Sequence, residues 1–158
     1  MPEGSTGVAV RATLAQIDRS WQRLNAELDI IPRERMTEPG AIGVWSVKDL
    51  LGHIAFWDKE AVVVGPRLAA GESDPYDDPS VDIDPVNGRE AAARAHYDLD
   101  EQWSEFRQAH VALLDYLQSQ TENERDALSL FEQLRGYTQD HYDEHTADLR
   151  AWRDRTGI

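Results

Sequence analysis

The apolar residues of this 158-residue chain recur at steps of three and four, and nowhere in sustained alternation. No other feature restricts the fold as much. A step of three or four lines side chains along one face of a helix, whereas a half-buried strand needs a period of two. Leu14, Ile17, Trp21, Leu24, Leu28 and Ile31 form the first such face. Pro32 stands at its end and Ser5 is placed to cap its start, so the spacing predicts a helix from about residue 6 to Ile30.

The second helix has the best-marked start. Ser46 is an N-cap with Asp49 three residues on, a short form of the capping box, and Trp45 before the cap is placed to pack on Leu50. Val47, Ile54, Trp57, Ala61, Val64 and Leu68 continue the stripe to Gly71, with Pro66 expected to kink or shorten the last turn. A third helix carries Ala92, His96, Leu99, Trp103, Phe106, His110, Leu113 and Leu117. After a polar break at residues 121–124, a fourth carries Phe131, Leu134, Tyr137, His141, His145, Leu149 and Trp152 and ends at Gly157. The expectation is an all-α protein, a four-helix bundle in one domain over residues 1–158, long enough to bury its own core.

Residues 71–88 interrupt the periodicity with prolines, aspartates and the pair Asn87-Gly88, and read as an acidic loop. A calcium loop beginning at Asp82 fails, because Val86 falls on a ligand position and Gly88 comes one residue late. Extended, such a loop spans roughly 50 Å, whereas a twenty-residue helix is only about 30 Å long. It can therefore cross the bundle and set helix three parallel to helix two, giving an up-down-down-up order. Helix four then opposes helix two, and His53, early in one, approaches His141 and His145, late in the other.

Charge and composition narrow the function classes. A formal net charge of -14 repels phosphate backbones and anionic lipid, so neither nucleic acid nor a membrane is an expected partner. There is no cysteine, which removes disulfides, thiolate ligands and a cysteine nucleophile; any thiol chemistry needs a small-molecule thiol. No stretch approaches the ~18 to 20 apolar residues of a membrane span. Met1-Pro2-Glu3-Gly4-Ser5 lacks the basic start and apolar run of a signal peptide, so the expected location is cytoplasmic. There is no glycine-rich phosphate loop and no recognisable Ser-His-Asp arrangement.

The sharpest motif is His141-Tyr142-Asp143-Glu144-His145. Histidines at i and i+4 leave a helix in the same direction, about 6 Å apart at their roots. That spacing suits two imidazoles on one ion, although an isolated pair is weak evidence and acidic neighbours on a solvated helix face more often explain it. His53 lies beside the apolar stripe of helix two, where a lone histidine is more often a satisfied core residue.

The stretch Gly43-Val44-Trp45-Ser46-Val47-Lys48-Asp49-Leu50-Leu51-Gly52-His53-Ile54 followed by Trp57, together with the HxxxH leading to Leu149 and Trp152, resembles the DinB-like (DinB/YfiT) superfamily. The resemblance covers nearly the whole chain in order and spacing. It implies an up-down-down-up bundle in which His53, His141 and His145 hold a divalent metal: zinc, nickel or iron. It also implies a metal-dependent enzyme acting on a small molecule, either a transferase using a low-molecular-weight thiol or a hydrolase. The helix-two stretch resembles the ClbS/DfsB branch as well, which implies a protective hydrolase as the alternative, beside a bundle that binds a metal or small ligand without catalysis. No counterpart of the additional C-terminal domain of the mycothiol-dependent maleylpyruvate isomerases is expected, so their specific activity is not the expected one.

Three imidazoles leave coordination positions open for activating water or a thiol. Asp49, four residues before His53, and Asp148, three after His145, are candidates to orient a ligand from behind, with Asp49 already accounted for as a cap. Glu144 is a candidate base, and a solvent-facing charge is its simpler reading. His96 and His110 are candidates for a further ligand or proton relay, though such residues more often pack locally. Trp21, Trp57, Trp103 and Trp152 are core or pocket wall, Trp57 being the one beside His53. The expected partner is a small-molecule substrate, and a homodimer through an exposed helix face fits the pattern without being fixed by it.

Overall fold

Six α-helices, not four, are formed in the computed structural model, which describes residues 3–158; Met1 and Pro2 of the N-terminal targeting argument lie outside the described residues. They are α1 (Glu3–Ile30), α2 (Val47–Ala69), α3 (Asp84–Ala93), α4 (Leu99–Ser119), α5 (Glu124–Gln133) and α6 (Gln139–Thr156). Among the described residues there is no strand, only an isolated bridge between Ile42 and Trp45. The chain is all-α.

Both extra helices come from local chemistry that interrupts a continuous apolar stripe. Asp98 caps α4, accepting from the Glu101 backbone while the Glu101 side chain accepts from the Asp98 backbone. Such a reciprocal cap is worth about 1 kcal/mol and starts a new helix where the stripe alone predicts continuation. Pro85 in the first turn of α3 draws residues 84–88 out of the expected loop and into helix, since its fixed φ suits that position. His96 thereby falls in the break between α3 and α4 and is exposed, as is Ala92, so the predicted stripe does not begin before Leu99. Between α5 and α6 a 3-10 turn at Arg135–Tyr137 and an irregular Thr138 (φ -114, ψ -109) break what the spacing reads as one helix.

Other ends follow the sequence closely. Ser46 and Asp49 form the complete capping box of α2, and α2 continues through Pro66 to Ala69. Gly157 closes α6 in the left-handed region at φ 73. Ser5 is not a cap, because α1 already includes Glu3.

The long helices enclose one core, in which Ile17, Leu24, Leu50, Ile54, Phe106, Leu113 and Leu149 are fully buried. Burying each such side chain is worth roughly 1.5–3 kcal/mol before ordering costs. Contacts fix the directions that matter for the site. A Cβ on Gly52 would come within 2.7 Å of the Gln102 side chain, and one on Gly65 would strike the Tyr116 ring, so α2 and α4 run side by side in the same sense. Arg23 pairs with Asp143, and Glu27 with Arg150 and Arg153, which sets α1 and α6 in step. Asp58 meets Tyr142 while the earlier His53 meets the later His145, so α2 and α6 are opposed.

The acidic segment before α3 folds back on these helices. Tyr76 donates to Glu60 of α2 at 2.7 Å, and Tyr137 donates to Asp74 at 2.8 Å. Among the described residues no helix is long and apolar enough to cross a membrane.

Candidate metal centre

The capping box of α2 sets the rotation of its first two turns, so that Leu50 and Ile54 enter the core and His53 stands at the core's edge. His141 and His145 lie one turn apart on α6, and both are buried. Opposed helices bring the three rings together. His53 Nε2 lies 2.9 Å from His141 Nε2, and His145 Nε2 lies 3.0 Å from the same atom. Among the described residues this is the one group of three or more histidine or acidic side chains close enough to hold a metal ion, with its ligand atoms within 4.8 Å of one another.

Hydrogen bonding alone does not satisfy this arrangement. An imidazole nitrogen carries either one proton or one lone pair, and His141 Nε2 faces two others. At most one of the two short contacts is therefore a hydrogen bond. His145 Nδ1 lies 3.0 Å from Asp148 Oδ2, where its N–H donates to the carboxylate and leaves the lone pair on Nε2. His141 Nδ1 is buried without a hydrogen-bond partner. Three imidazole Nε2 atoms converging on one point are the donor set that a borderline divalent cation takes.

Protonation is disfavoured in the same place. Burial, reinforced by the neighbouring His145, pushes His53 down to about 3. Burial, His145 and His53 together hold His141 well below its ordinary value. Neutral imidazole is the form that ligates.

The triad forms the floor of a cavity of about 480 Å³. Trp45 from the turn before α2 stacks at a tilt 4.8 Å from the His53 ring, and Trp57, Tyr76 and Tyr137 supply further aromatic wall. Asp74, Asp77, Asp84 and Glu144 also line it. Burial, then the hydrogen bond to Glu60 and the charges of Glu60 and Asp74, push the Tyr76 hydroxyl up to about 12, with Arg89 acting the other way. Tyr137 is raised as well, by burial and by Asp74.

A second polar cluster lies deeper between the same helices. Tyr142, between the two histidines in sequence but pointing away from them, donates to Asp58 Oδ1 at 2.7 Å. His110 of α4 places Nδ1 3.2 Å from the Tyr142 hydroxyl and 3.5 Å from Asp58 Oδ2, and Trp21 stacks on its ring at 3.5 Å. Asp58 is completely buried, and desolvation raises its carboxyl above its usual range.

The structure thus brings His53, His141, His145 and Asp148 into one constellation and places Trp57 and Glu144 on its cavity. Asp49 is not among them; it is engaged by Ser46. His96 is exposed with its ring beside that of Tyr97, and His110 belongs to the deeper cluster. The sequence reading missed Asp58, Tyr76, Tyr137 and Asp74. Asp58 carried a legible signal, an acidic residue next to Trp57 on the buried stripe of α2, whereas the other three are assembled by the loop and the 3-10 turn.

A family model described as the DinB superfamily matches residues 16–156. Among curated proteins and solved structures, none matches the chain.

Proposed function

This chain belongs to the DinB superfamily, and from that premise we propose that it is a divalent-metal-binding bundle that works as a metal-dependent enzyme on a small molecule. The observation that carries the reading is the convergence of the His53, His141 and His145 Nε2 atoms on the floor of an open cavity. These three residues would hold the ion, with zinc, nickel and iron all suited to the donor set. Bound there, the metal would supply Lewis acidity toward a molecule in the cavity.

The chain's own residues supply the rest. Asp148 fixes the His145 ring and its tautomer through the Nδ1–H contact. Trp45 and Trp57 shield one side from water and offer flat apolar surface. Glu144, whose carboxylate lines the same cavity, is the acceptor for a proton leaving a water or a thiol. With no cysteine in the chain, thiol transfer would use a small thiol cosubstrate, and hydrolysis is the other reaction compatible with the set. The pairwise helix directions support reading α3–α4 and α5–α6 as two interrupted arms of an up-down-down-up four-helix bundle.

Elemental analysis of the untagged protein beside a His53→Ala, His141→Ala, His145→Ala variant tests the ligand set. Near-stoichiometric metal, lost in the variant, is expected. Absence of metal after incubation with zinc, nickel, iron and manganese ends the reading.

A further inference from the structure

The charges around the cavity bear on what enters it, and the argument rests on the reading of that cavity as the working site. Its walls contain no lysine or arginine; the cation whose charge reaches it is Arg89, which acts on the Tyr76 hydroxyl from outside the lining. They carry four carboxylates, and only Asp74 is occupied, by the Tyr137 hydroxyl and the Tyr76 backbone N–H. The side chains of Asp77, Asp84 and Glu144 have no hydrogen-bond or ion-pair partner among the described residues. Elsewhere two well-covered acids are paired with cations, Glu27 with two arginines and Glu105 with Arg94 and Lys59, whereas Asp77, Asp84 and Glu144 are exposed on the cavity. Asp84 has a structural reason to be acidic, in the first turn of α3. Asp77, in the loop, has none of that kind.

Aromatic rings stand among these charges. Trp57 packs against Tyr76 at 4.9 Å and Tyr137 at 5.8 Å, both at steep angles, and all three rings line the cavity. Indole and phenol faces attract cations. The converging imidazoles mark the cavity as built for a ligand independently of its rim. Three neutral imidazoles and a divalent ion carry two positive charges against four carboxylates, so the loaded site retains a negative surplus.

We infer that the molecule admitted to this cavity carries an ammonium group, seated against Trp57, Tyr76 and Tyr137 with the Asp77 and Asp84 carboxylates near its charge. A thiol cosubstrate bearing carboxylates is disfavoured by the same field.

Choline, its neutral isostere 3,3-dimethylbutan-1-ol and the anion 3,3-dimethylbutanoate serve as probes of one shape and three charges. Their binding is titrated by tryptophan fluorescence and calorimetry on the metal-loaded full chain, with metal content measured on the same samples. Choline should bind about tenfold tighter than the alcohol, and the anion weakest. The preference should shrink in an Asp77→Asn, Asp84→Asn variant, both positions being exposed and removed from the core, and should shrink with added salt. Equal binding of alcohol and choline, tighter binding of the anion, or no choline binding at tens of millimolar overturns the inference, as does a preference indifferent to the double variant. Repeating the titration on the triple-histidine variant separates the two readings. A charge preference without metal leaves the ammonium site standing and removes the metal enzyme; metal without the preference does the reverse.

Discussion

Helices α2 and α6 contribute to two polar clusters on neighbouring turns, one open and one sealed. In the open cluster, His53, His141 and His145 point nitrogens at one another with fewer protons than contacts, beside a cavity. In the sealed one, Asp58, Tyr142 and His110 lie under Trp21 with the Tyr142 hydroxyl shared between its neighbours. A buried polar group stabilises a fold only when its partners are present. The sealed cluster satisfies Asp58 Oδ1, the Tyr142 hydroxyl and His110 Nδ1 from within, leaves Asp58 Oδ2 and His110 Nε2 without a hydrogen-bond partner, and ties α2, α4 and α6 together. The open cluster leaves lone pairs to be satisfied from outside, which is what a binding site requires.

The largest effect expected from this contrast is loss of metal in the triple-histidine variant, with the fold retained in far-ultraviolet circular dichroism. Unfolding together with metal loss would mean that the open cluster is structural after all.

Acid is the next largest probe. His53, held down to about 3, and His141, also depressed, stay neutral in the folded chain, while the unfolded chain binds protons on them below their ordinary 6.5. The metal-free protein therefore loses stability as pH falls from about 6.5 toward 3, and these two groups cost nothing above that window. Asp58 acts with opposite sign. Its raised folded pKa gives a contribution fully present below its ordinary 3.8 and lost as pH rises through the folded value. Urea midpoints taken across the range should show the histidine slope flatten in a His53→Gln, His141→Gln variant and persist in Asp58→Asn.

Asp148→Asn removes the anion behind His145 while keeping its shape. Metal affinity should fall by roughly 10- to 100-fold, read by competition with a chelating dye, with thermal stability of the apo chain nearly unchanged. Unaltered affinity would end the orienting role of Asp148.

Tyr142→Phe does the complementary experiment. It strips Asp58 Oδ1 of its donor and should cost about 1–3 kcal/mol in denaturant unfolding, while metal content per folded molecule stays the same. Smallest of all is Asp143→Asn. Its pair with Arg23 is more than one-third exposed on both sides, and exposed pairs are worth about 0–1 kcal/mol. A change above that range would show that the α1–α6 contact bears on the site more than its exposure suggests.

Local signals made much of this legible in advance. The Ser46–Asp49 box gives the start of α2 to the residue, and an HxxxH pair on a helix can only present its rings together. The break at Asp98 was also written locally, in Asp98 and Glu101, but the stripe from Ala92 to Leu117 obscures it, because periodicity is blind to an interruption that keeps the apolar face in phase. The break before α6 is harder still. Thr138 is buried and its hydroxyl donates to the Leu134 carbonyl, a choice between helix and turn that depends on what packs around it.

The sequence by itself determined that the chain is helical, which faces are apolar, and that three histidines stand where opposed helices can bring them together. Those properties depend on spacing along one chain. Tertiary structure alone decided that Asp148 rather than Asp49 stands behind a histidine and that His110 joins Asp58 and Tyr142 instead of the triad. It also decided that Asp74 and Tyr76, far from α6 in sequence, line the cavity that the imidazoles share. The reason is physical: a hydrogen bond or a cavity wall is set by distance in space, and residues separated by tens of positions acquire that distance only when the core between them is packed.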